Sequence, residues 1–256
     1  MSITRDDIRD FVRDDLIDEE VRELGVILKC RQDVQGEDMR DEIVMQLYRR
    51  YQTPAGYMTR NPSLEQMCDK IAKLLKLRKL DGEGWCTLCS LSIGIFEKIL
   101  TSLPEDEKRE LLEQLWGSLE EEQKKQLAAE FNVGDFSALC HASEFMVAHM
   151  LGVHMARELS LIAAASLART LAASEAALLA SRVLSRGVAV ALGPIGWGLL
   201  ALSVNDFMGA NLKKVVPALM ILNVARLRAY PQEAEGYLAE MHARTLAHVS
   251  ATFTND

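Results

Sequence analysis

The sequence lacks the short motifs that mark the common classes of enzyme. It contains no HExxH zinc motif, no P-loop, no nucleotide-binding GxGxxG and no GxSxG nucleophile motif. Carboxylates are abundant in residues 1–134, but they are spread over predicted helix exteriors, where a solvated face is their ordinary role. We therefore predict a non-enzymatic protein without a cofactor, and we assign no catalytic residue.

Cysteines are few, and their number does not suit a disulfide framework. The chain has five of them, which is an odd count. Its first residues, MSITRDDIRDF, lack the basic segment followed by an apolar stretch that a signal peptide has. We therefore expect reduced thiols and a cytoplasmic location. The cysteines are Cys30, Cys68, Cys86, Cys89 and Cys140.

Cys86 and Cys89 form a single CxxC motif within the sequence WCTLCS. A zinc site would need a second cysteine pair, and a thioredoxin-like redox site would need a turn from a strand into a helix. The remaining cysteines are single and scattered. Two buried thiols are therefore the favoured interpretation, with a metal or redox site as the alternative.

The histidines do not form a metal-binding pattern. His141, His149 and His154 fall in one predicted helix, but their spacing directs them to different faces at about 100° per residue. Ion pairs of His141 with Glu144 and of His154 with Glu158 are favoured over a metal site. No metal ligand is assigned.

No segment alternates convincingly between apolar and polar residues with period two, which argues against a β-rich fold. Apolar residues recur instead at helical spacings. Serines followed three residues later by Glu or Gln indicate capping boxes at Ser63, Ser102 and Ser118. We predict an all-α, multi-helix bundle. Predicted helices lie within 3–29 and 36–50, and at about 63–77, 87–101, 102–117, 118–132, 135–152, 156–186 and 231–251, with a loop at 53–63.

The excess of negative charge is confined to the first half of the chain. Residues 1–134 hold 28 acidic and 20 basic side chains, whereas residues 135–256 hold nine of each. An acidic field repels phosphate, so we expect no nucleic-acid partner. Charge and composition together predict two acidic helical regions, 1–62 and 63–134, and a neutral apolar core over 135–256.

The longest apolar stretch, residues 187–204, contains no ionisable side chain. As one helix it would measure about 27 Å, just short of the roughly 30 Å hydrocarbon core of a bilayer. Its centre, Gly193-Pro194-Ile195-Gly196, argues against one straight span because proline breaks a helix interior. We predict an apolar hairpin over 187–228, whose second arm begins at Trp197 and which includes a second apolar piece at 215–225.

The hairpin has two possible environments, and the sequence leaves both open. Lys213, Lys214, Arg226 and Arg228 bracket the second apolar piece, as anchors at anionic lipid headgroups would. The same spacing fits a buried helix with basic ends in a soluble bundle. The predicted partner is therefore a lipid bilayer in the first case and a protein in the second.

A group of residues in this region resembles a known signature. These are GPIGW at 193–197, Asp206, Gly209, Pro217-Ala218 and ARLR at 225–228, together with CDKIAKLLKL at 68–77. They resemble the bacterial YaaW-like family of unknown function, often labelled ubiquinol–cytochrome c chaperone-like. The resemblance covers about 64–228. It departs from the family where Ala210-Asn211-Leu212-Lys213 replaces the usual P-A-Y-R, and it implies a helical, bacterial, protein-binding chain rather than catalysis.

Three functional hypotheses follow. The first is a membrane-active protein in which acidic helices shield the apolar hairpin, with the possibility of pore formation and of an oligomer. The second is a chaperone-like interaction module that binds a protein through its N-terminal region. The third is an enzyme that uses Cys86 or the region 141–158, for which no motif argues.

Overall fold

The computed structural model describes residues 2–31, 33–52, 61–131, 136–168, 212–233, 235–241 and 243. Within these ranges every regular element is a helix, which confirms the predicted all-α, multi-helix fold. The helices are α1 (Arg5–Asp14), α2 (Asp18–Ile27), α3 (Gly36–Tyr51), α4 (Leu64–Leu75), α5 (Cys86–Ser102), α6 (Glu105–Ser118), α7 (Glu121–Phe131), α8 (Phe136–His141), α9 (Glu144–Ala168) and α10 (Leu212–Ala229). The described residues from 235 to 241 are also helical.

One of the three predicted capping boxes is present at its expected place. The backbone N–H of Gln66 donates to Ser63 Oγ at 3.3 Å, and the backbone N–H of Ser63 donates to Gln66 Oε1 at 3.1 Å. The pair satisfies two amide groups that the first turn of α4 leaves without helical partners. Helix α4 therefore begins where the sequence predicts.

The two other predicted caps are wrong. Ser102 is the last residue of α5 and donates its hydroxyl to Lys98 O at 2.8 Å, so that α6 begins after Pro104 instead. Ser118 ends α6 in the same way and donates to Leu115 O at 2.7 Å. A serine hydroxyl bonds to a carbonyl one turn earlier as readily as it caps a following helix, and spacing alone does not separate the two roles.

The single helix predicted over 135–152 is also wrong. It is divided into α8 and α9 between His141 and Glu144. Ser143 starts the second helix because its hydroxyl oxygen accepts from the backbone N–H of Met146 at 3.3 Å. His141 and His149 consequently lie in different helices.

Helix α10 lies at the centre of the packing. It contacts α2, α3, α5 and α9, and α9 in turn packs along α5. Every residue from 215 to 225 is buried, including Pro217 inside the helix and the polar Asn223. A helix enclosed around its whole circumference needs no polar face, which explains its apolar sequence.

The N-terminal helices belong to the same core as α10. Helices α1 and α2 pack against α3, while α2 and α3 contact α10. Ile8, Leu24 and Leu47 are fully buried in one continuous apolar cluster with Val216 and Leu219. Burial of α10 therefore depends on helices that begin near the start of the chain.

Several predictions fall on residues outside the described ranges. They include the apolar stretch 187–204, most of the loop 53–63, and the parts of two predicted helices at 169–186 and 244–251. Among the residues that the structure describes, no helix combines the length and apolar character needed to span a bilayer.

Candidate functional site

The densest set of polar and aromatic contacts surrounds the C-terminal end of α10. There the end of α10 meets the start of α5 and the segment that joins α1 to α2. We call this place the α10 junction. Its residues are Phe11, Asp15, Glu20, Trp85, Cys86, Cys89, Asn223, Arg226, Arg228, Tyr230 and Glu233.

An ion pair between Arg228 and Glu20 joins the end of α10 to α2. Arg228 Nε donates to Glu20 Oε1 at 3.0 Å, and Arg228 Nη2 donates to Glu20 Oε2 at 2.9 Å. The same Nη2 group donates to Asp15 O at 2.7 Å. Glu20 is only 1% exposed, and its carboxylate also accepts the backbone N–H of Ile17 at the start of α2. The hydrogen bonds to Glu20 raise the pKa of Arg228, so its guanidinium keeps its positive charge.

A second link joins Tyr230 to the same segment. Its hydroxyl lies 2.9 Å from both carboxylate oxygens of Asp15 and donates to that group. This hydrogen bond to a carboxylate raises the pKa of Tyr230. The Asp15 carboxylate thus accepts a hydrogen bond from Tyr230, and its backbone carbonyl accepts one from Arg228. These bonds fix the turn after α1 to the end of α10.

Arg226 lies among three aromatic rings. Its guanidinium carbon is 3.6 Å from the ring centroid of Tyr230, 5.2 Å from that of Trp85 and 5.6 Å from that of Phe11. Its Nη2 group bonds Glu233 at 2.5 Å. The planar, weakly hydrated guanidinium suits such stacking better than an ammonium would. Arg226 therefore ties α10 to α1 and α5 without a buried carboxylate.

Beneath Arg226, Asn223 connects three helices through a buried polar network. Its Nδ2 group donates to Ser160 Oγ in α9 at 2.9 Å and to Ser92 Oγ in α5 at 3.2 Å. Its Oδ1 atom accepts from Cys89 Sγ at 3.4 Å. The two serines donate in turn to carbonyl groups of their own helices, at 2.6 and 2.8 Å. Asn223 is thereby satisfied inside an otherwise apolar core.

Cys86 and Cys89 lie at the edge of this network, at the beginning of α5. Cys86 is half-buried, whereas Cys89 is buried. Both line a cavity of about 20 Å³ that Asn223 and Arg226 also border. Burial raises the pKa of both thiols, that of Cys89 to about 12. The prediction of two buried thiols therefore holds for Cys89 and fails for Cys86.

The turn that leads into α5 is built from glycine. Gly82 and Gly84 have φ angles of +89° and +60°, a region that side chains disfavour. A Cβ atom on Gly82 would lie 2.8 Å from the ring of Tyr237 and 3.1 Å from Cys86 Cβ. The backbone thus passes directly beside Cys86, and Tyr237 covers it from the C-terminal segment.

The predicted hairpin residues are only partly described. Lys213 and Lys214 are half-buried at the start of α10, and Pro217 is buried within it. Arg226 and Arg228 bind protein groups at the other end, in the way given above. Gly193, Pro194, Ile195, Gly196, Trp197, Asp206 and Gly209 lie outside the described residues.

In the histidine region the structure describes the side chains of His141 and His149, whereas those of His154 and Glu158 lie outside the described part. His141 is exposed in α8, and its predicted partner Glu144 is bound instead by Lys108 Nζ at 2.7 Å. His149 contacts Phe145 O at 2.9 Å through Nδ1 and lies against the ring of Phe145. Nowhere in the described part of the chain do three or more His, Cys, Asp or Glu side chains come together as a metal site would require.

Away from the α10 junction, α2 and the start of α3 border an open cleft of about 900 Å³. Its lining combines apolar and charged side chains, and four of its five charged side chains are basic. The apolar residues include Val21, Val26, Val34 and Met39, and the basic residues are Arg22, Lys29, Arg31 and Arg40. We call it the α2–α3 cleft. Its charge is opposite to that of the acidic half in which it lies.

Sequence reasoning did not find the contacts that define the α10 junction. Glu20 and Arg228 are 208 positions apart, and nothing in either local sequence identifies the other. Asn223 did carry a signal, since it is the one strongly polar residue of 215–225. No family model matches the chain, and it matches no curated protein and no solved structure. The resemblance to the YaaW-like family stays a prediction.

Proposed function

We propose that this chain is a non-enzymatic, conditionally membrane-active protein of the bacterial cytoplasm, whose apolar C-terminal hairpin enters or binds a bilayer after release. The observation that carries the proposal is the complete enclosure of residues 215–225 by α2, α3, α5 and α9. A helix that is apolar on all sides is suited either to a protein core or to lipid. Residues 187–204, with no charge at all, precede it in the chain.

The enclosing helices have the composition that such a shield requires. Helices α1 to α3 bury apolar residues inward and carry most of their carboxylates outward, with Glu20, Glu23 and Glu42 as the buried exceptions. The outward carboxylates keep the closed form dissolved. Basic side chains mark both ends of α10, at Lys213 and Lys214 and at Arg226 and Arg228. After release those cations would face anionic headgroups, where each contributes roughly 1 kcal/mol.

Release requires the α10 junction to open. In the closed form, Arg228 is bound by Glu20, and Arg226 lies against aromatic rings. Both guanidinium groups are thus held by protein rather than by solvent. The Arg228–Glu20 pair therefore acts as the fastening between α10 and its N-terminal cover. A membrane or another trigger must compete with that pair before the basic end of α10 is free.

Flotation and dye release with anionic and neutral vesicles test the proposal. We expect Arg228→Met to increase both signals over wild type, and a deletion of 187–204 to abolish them while circular dichroism still reports a helical fold. Arg9→Met is the matched control, because Arg9 pairs with the exposed Asp6 and Asp41 and not with α10. It should behave as wild type.

Two results would overturn the proposal. One is an absence of flotation and leakage for wild type and Arg228→Met alike, at neutral and at low pH. The other is equal leakage from Arg9→Met and Arg228→Met, which would mean that a general loosening of the fold causes the leakage and not the opening of the α10 junction.

The α2–α3 cleft favours a second candidate, a protein-interaction module of the chaperone-like kind. Its apolar and basic lining residues fit an acidic amphipathic segment of a partner protein. Arg22→Glu reverses one rim charge without touching α10. If wild type but not Arg22→Glu recovers the same acidic partner after cross-linking in cells, and vesicles bind neither protein, this candidate replaces the first.

A further inference from the structure

We infer that Cys86 and Cys89 form a dithiol site that exchanges with low-molecular-weight disulfides such as glutathione disulfide, closing to an intramolecular disulfide at the start of α5. The inference does not depend on membrane activity. It rests on the geometry of the helix start, on the unequal exposure of the two thiols and on their shared cavity.

The backbone at the start of α5 brings positions i and i+3 together. Three consecutive backbone N–H groups, those of Cys86, Thr87 and Leu88, donate to carbonyls three residues earlier, at 3.3, 3.3 and 3.0 Å. Bonds of this kind define a 3₁₀ turn, which leads into α5 and ends at Leu88. Cys86 and Cys89 lie in the first turn of α5. In α-helical geometry the Cα atoms of residues three apart are separated by roughly 5 Å, inside the range of about 4.4–6.8 Å that disulfides use.

The two thiols differ in the way an attacking and a resolving cysteine must. Cys86 is half-buried and reachable by a small disulfide, whereas Cys89 is 4% exposed. Both border the cavity of about 20 Å³, which has room for about one water molecule. Cys89 therefore has access to a disulfide formed on Cys86 but not to one in solution.

The charges around Cys86 both favour and oppose its thiolate. Arg226 and the start of a helix stabilise a negative sulfur, while Glu233 and Glu240 destabilise it. Burial is the largest influence and raises the pKa of Cys86. Cys86 is consequently protonated near neutral pH, and exchange accelerates as the pH rises because the thiolate fraction increases.

The exchange balances in two steps. The Cys86 thiolate attacks one sulfur of glutathione disulfide and forms a mixed disulfide. One glutathione leaves as a thiolate and takes up a proton equivalent to the one that Cys86 gave up. Cys89 then loses its proton and attacks Cys86 Sγ, which expels the second glutathione as a thiol. Two protein thiols are oxidised, and one disulfide is reduced to two thiols.

Intact-protein and peptide mass spectrometry test the inference on the full chain under native conditions. After incubation with glutathione disulfide, alkylation should find two fewer thiols than the five of the reduced protein, with no glutathione added. Trypsin releases residues 80–98, which contain no other cysteine and no internal cleavage site. This peptide should be lighter by two hydrogens than its reduced form. Cys140→Ser should also lose two thiols.

The single-cysteine variants separate the roles. Cys89→Ser should accumulate one glutathione on residue 86, whereas Cys86→Ser should stay unmodified. The inference is wrong if wild-type residues 80–98 keep both thiols, or if they stop at the mixed disulfide. A further measurement compares the folded and the urea-unfolded chain: because the fold brings the thiols together, the equilibrium constant for ring closure should be at least several-fold larger in the folded chain. An equal or smaller value would overturn the inference.

Discussion

Asn223 is the polar residue that links α10 to two neighbouring helices inside the core. It is 1% exposed in a helix of apolar side chains, where it donates hydrogen bonds to Ser92 and Ser160 and accepts one from Cys89. These partners belong to two other helices, so a single amide fixes the relative position of three helices. A buried polar group of this kind contributes specificity as much as stability.

Replacement of Asn223 by Ala should therefore be costly. We expect a loss of about 2–4 kcal/mol in the free energy of unfolding, because Ala leaves a cavity and removes the partner of three polar groups. Asn223→Leu keeps the volume and should cost less than Asn223→Ala. Urea unfolding followed by circular dichroism measures both. A loss below 1 kcal/mol for the Ala variant would show that the network adds little.

The half-buried His149 makes the free energy of unfolding depend on pH. Burial is the main cause that lowers the pKa of His149, against the opposing hydrogen bond to Phe145 O. Its folded pKa is therefore below that of the unfolded chain, about 6.5. The unfolded chain binds a proton first, so stability is full above about pH 6.5 and falls as the pH drops from there towards the folded pKa.

We expect the unfolding free energy of wild type to fall more steeply below pH 6.5 than that of His149→Gln. The variant cannot take up that proton, so the difference between the two curves isolates the histidine from the many carboxylates. Parallel curves from pH 7.5 to 5 would contradict the argument.

At the scale of elements, α9 approaches α5 closely at a glycine. A Cβ atom on Gly152 would lie 2.6 Å from Ile93 Cδ1 and 2.8 Å from its Cγ1. Ile93 is buried and has little room to turn. Gly152 is followed after three residues by the non-helical φ of −135° at Met155, where α9 is kinked.

Two glycine-to-alanine substitutions test how little space α9 and α5 leave at Gly152. Gly152→Ala gains about 0.5–1 kcal/mol of helix propensity but should lose more by overpacking, for a net loss of about 1–2 kcal/mol. Gly117→Ala in α6 meets nothing within 4 Å and should stabilise by about 0.5–1 kcal/mol. Thermal unfolding should therefore shift in opposite directions. A shift of the same sign for both would mean that Ile93 moves aside without cost.

The elements also show what a single sequence can predict. The all-α class and the start of α4 at Ser63 follow from local patterns that the fold preserves. The predicted cap at Ser102 is wrong because a serine between two helices can either donate to a carbonyl of the preceding helix, as Ser102 does, or accept from an amide of the following helix. The sequence does not decide whether α10 is enclosed by protein or by lipid, because an apolar surface is compatible with both. The pairing of Glu20 with Arg228 depends on three-dimensional packing alone, so no local pattern contains it.

At the scale of the whole molecule, the Arg228–Glu20 pair holds the N-terminal helices to the central helix. Glu20→Ala should cost about 3–5 kcal/mol, since it removes the partner of a part-buried guanidinium and the acceptor that caps α2. Arg9→Ala, which loses only exposed pairs with Asp6 and Asp41, should cost less than about 1 kcal/mol. Denaturant unfolding gives both values. Similar small losses would show that packing alone holds α2 to α10.

The separation of 208 positions between Glu20 and Arg228 also has a consequence for synthesis. At roughly 5–20 residues per second, the ribosome makes Arg228 about 10–40 s after Glu20. During that interval the nascent N-terminal helices have neither the central helix nor the cation that their buried carboxylate requires. The native arrangement can therefore be completed only after Arg228 has been made, and until then the apolar faces that α10 covers are exposed to aggregation.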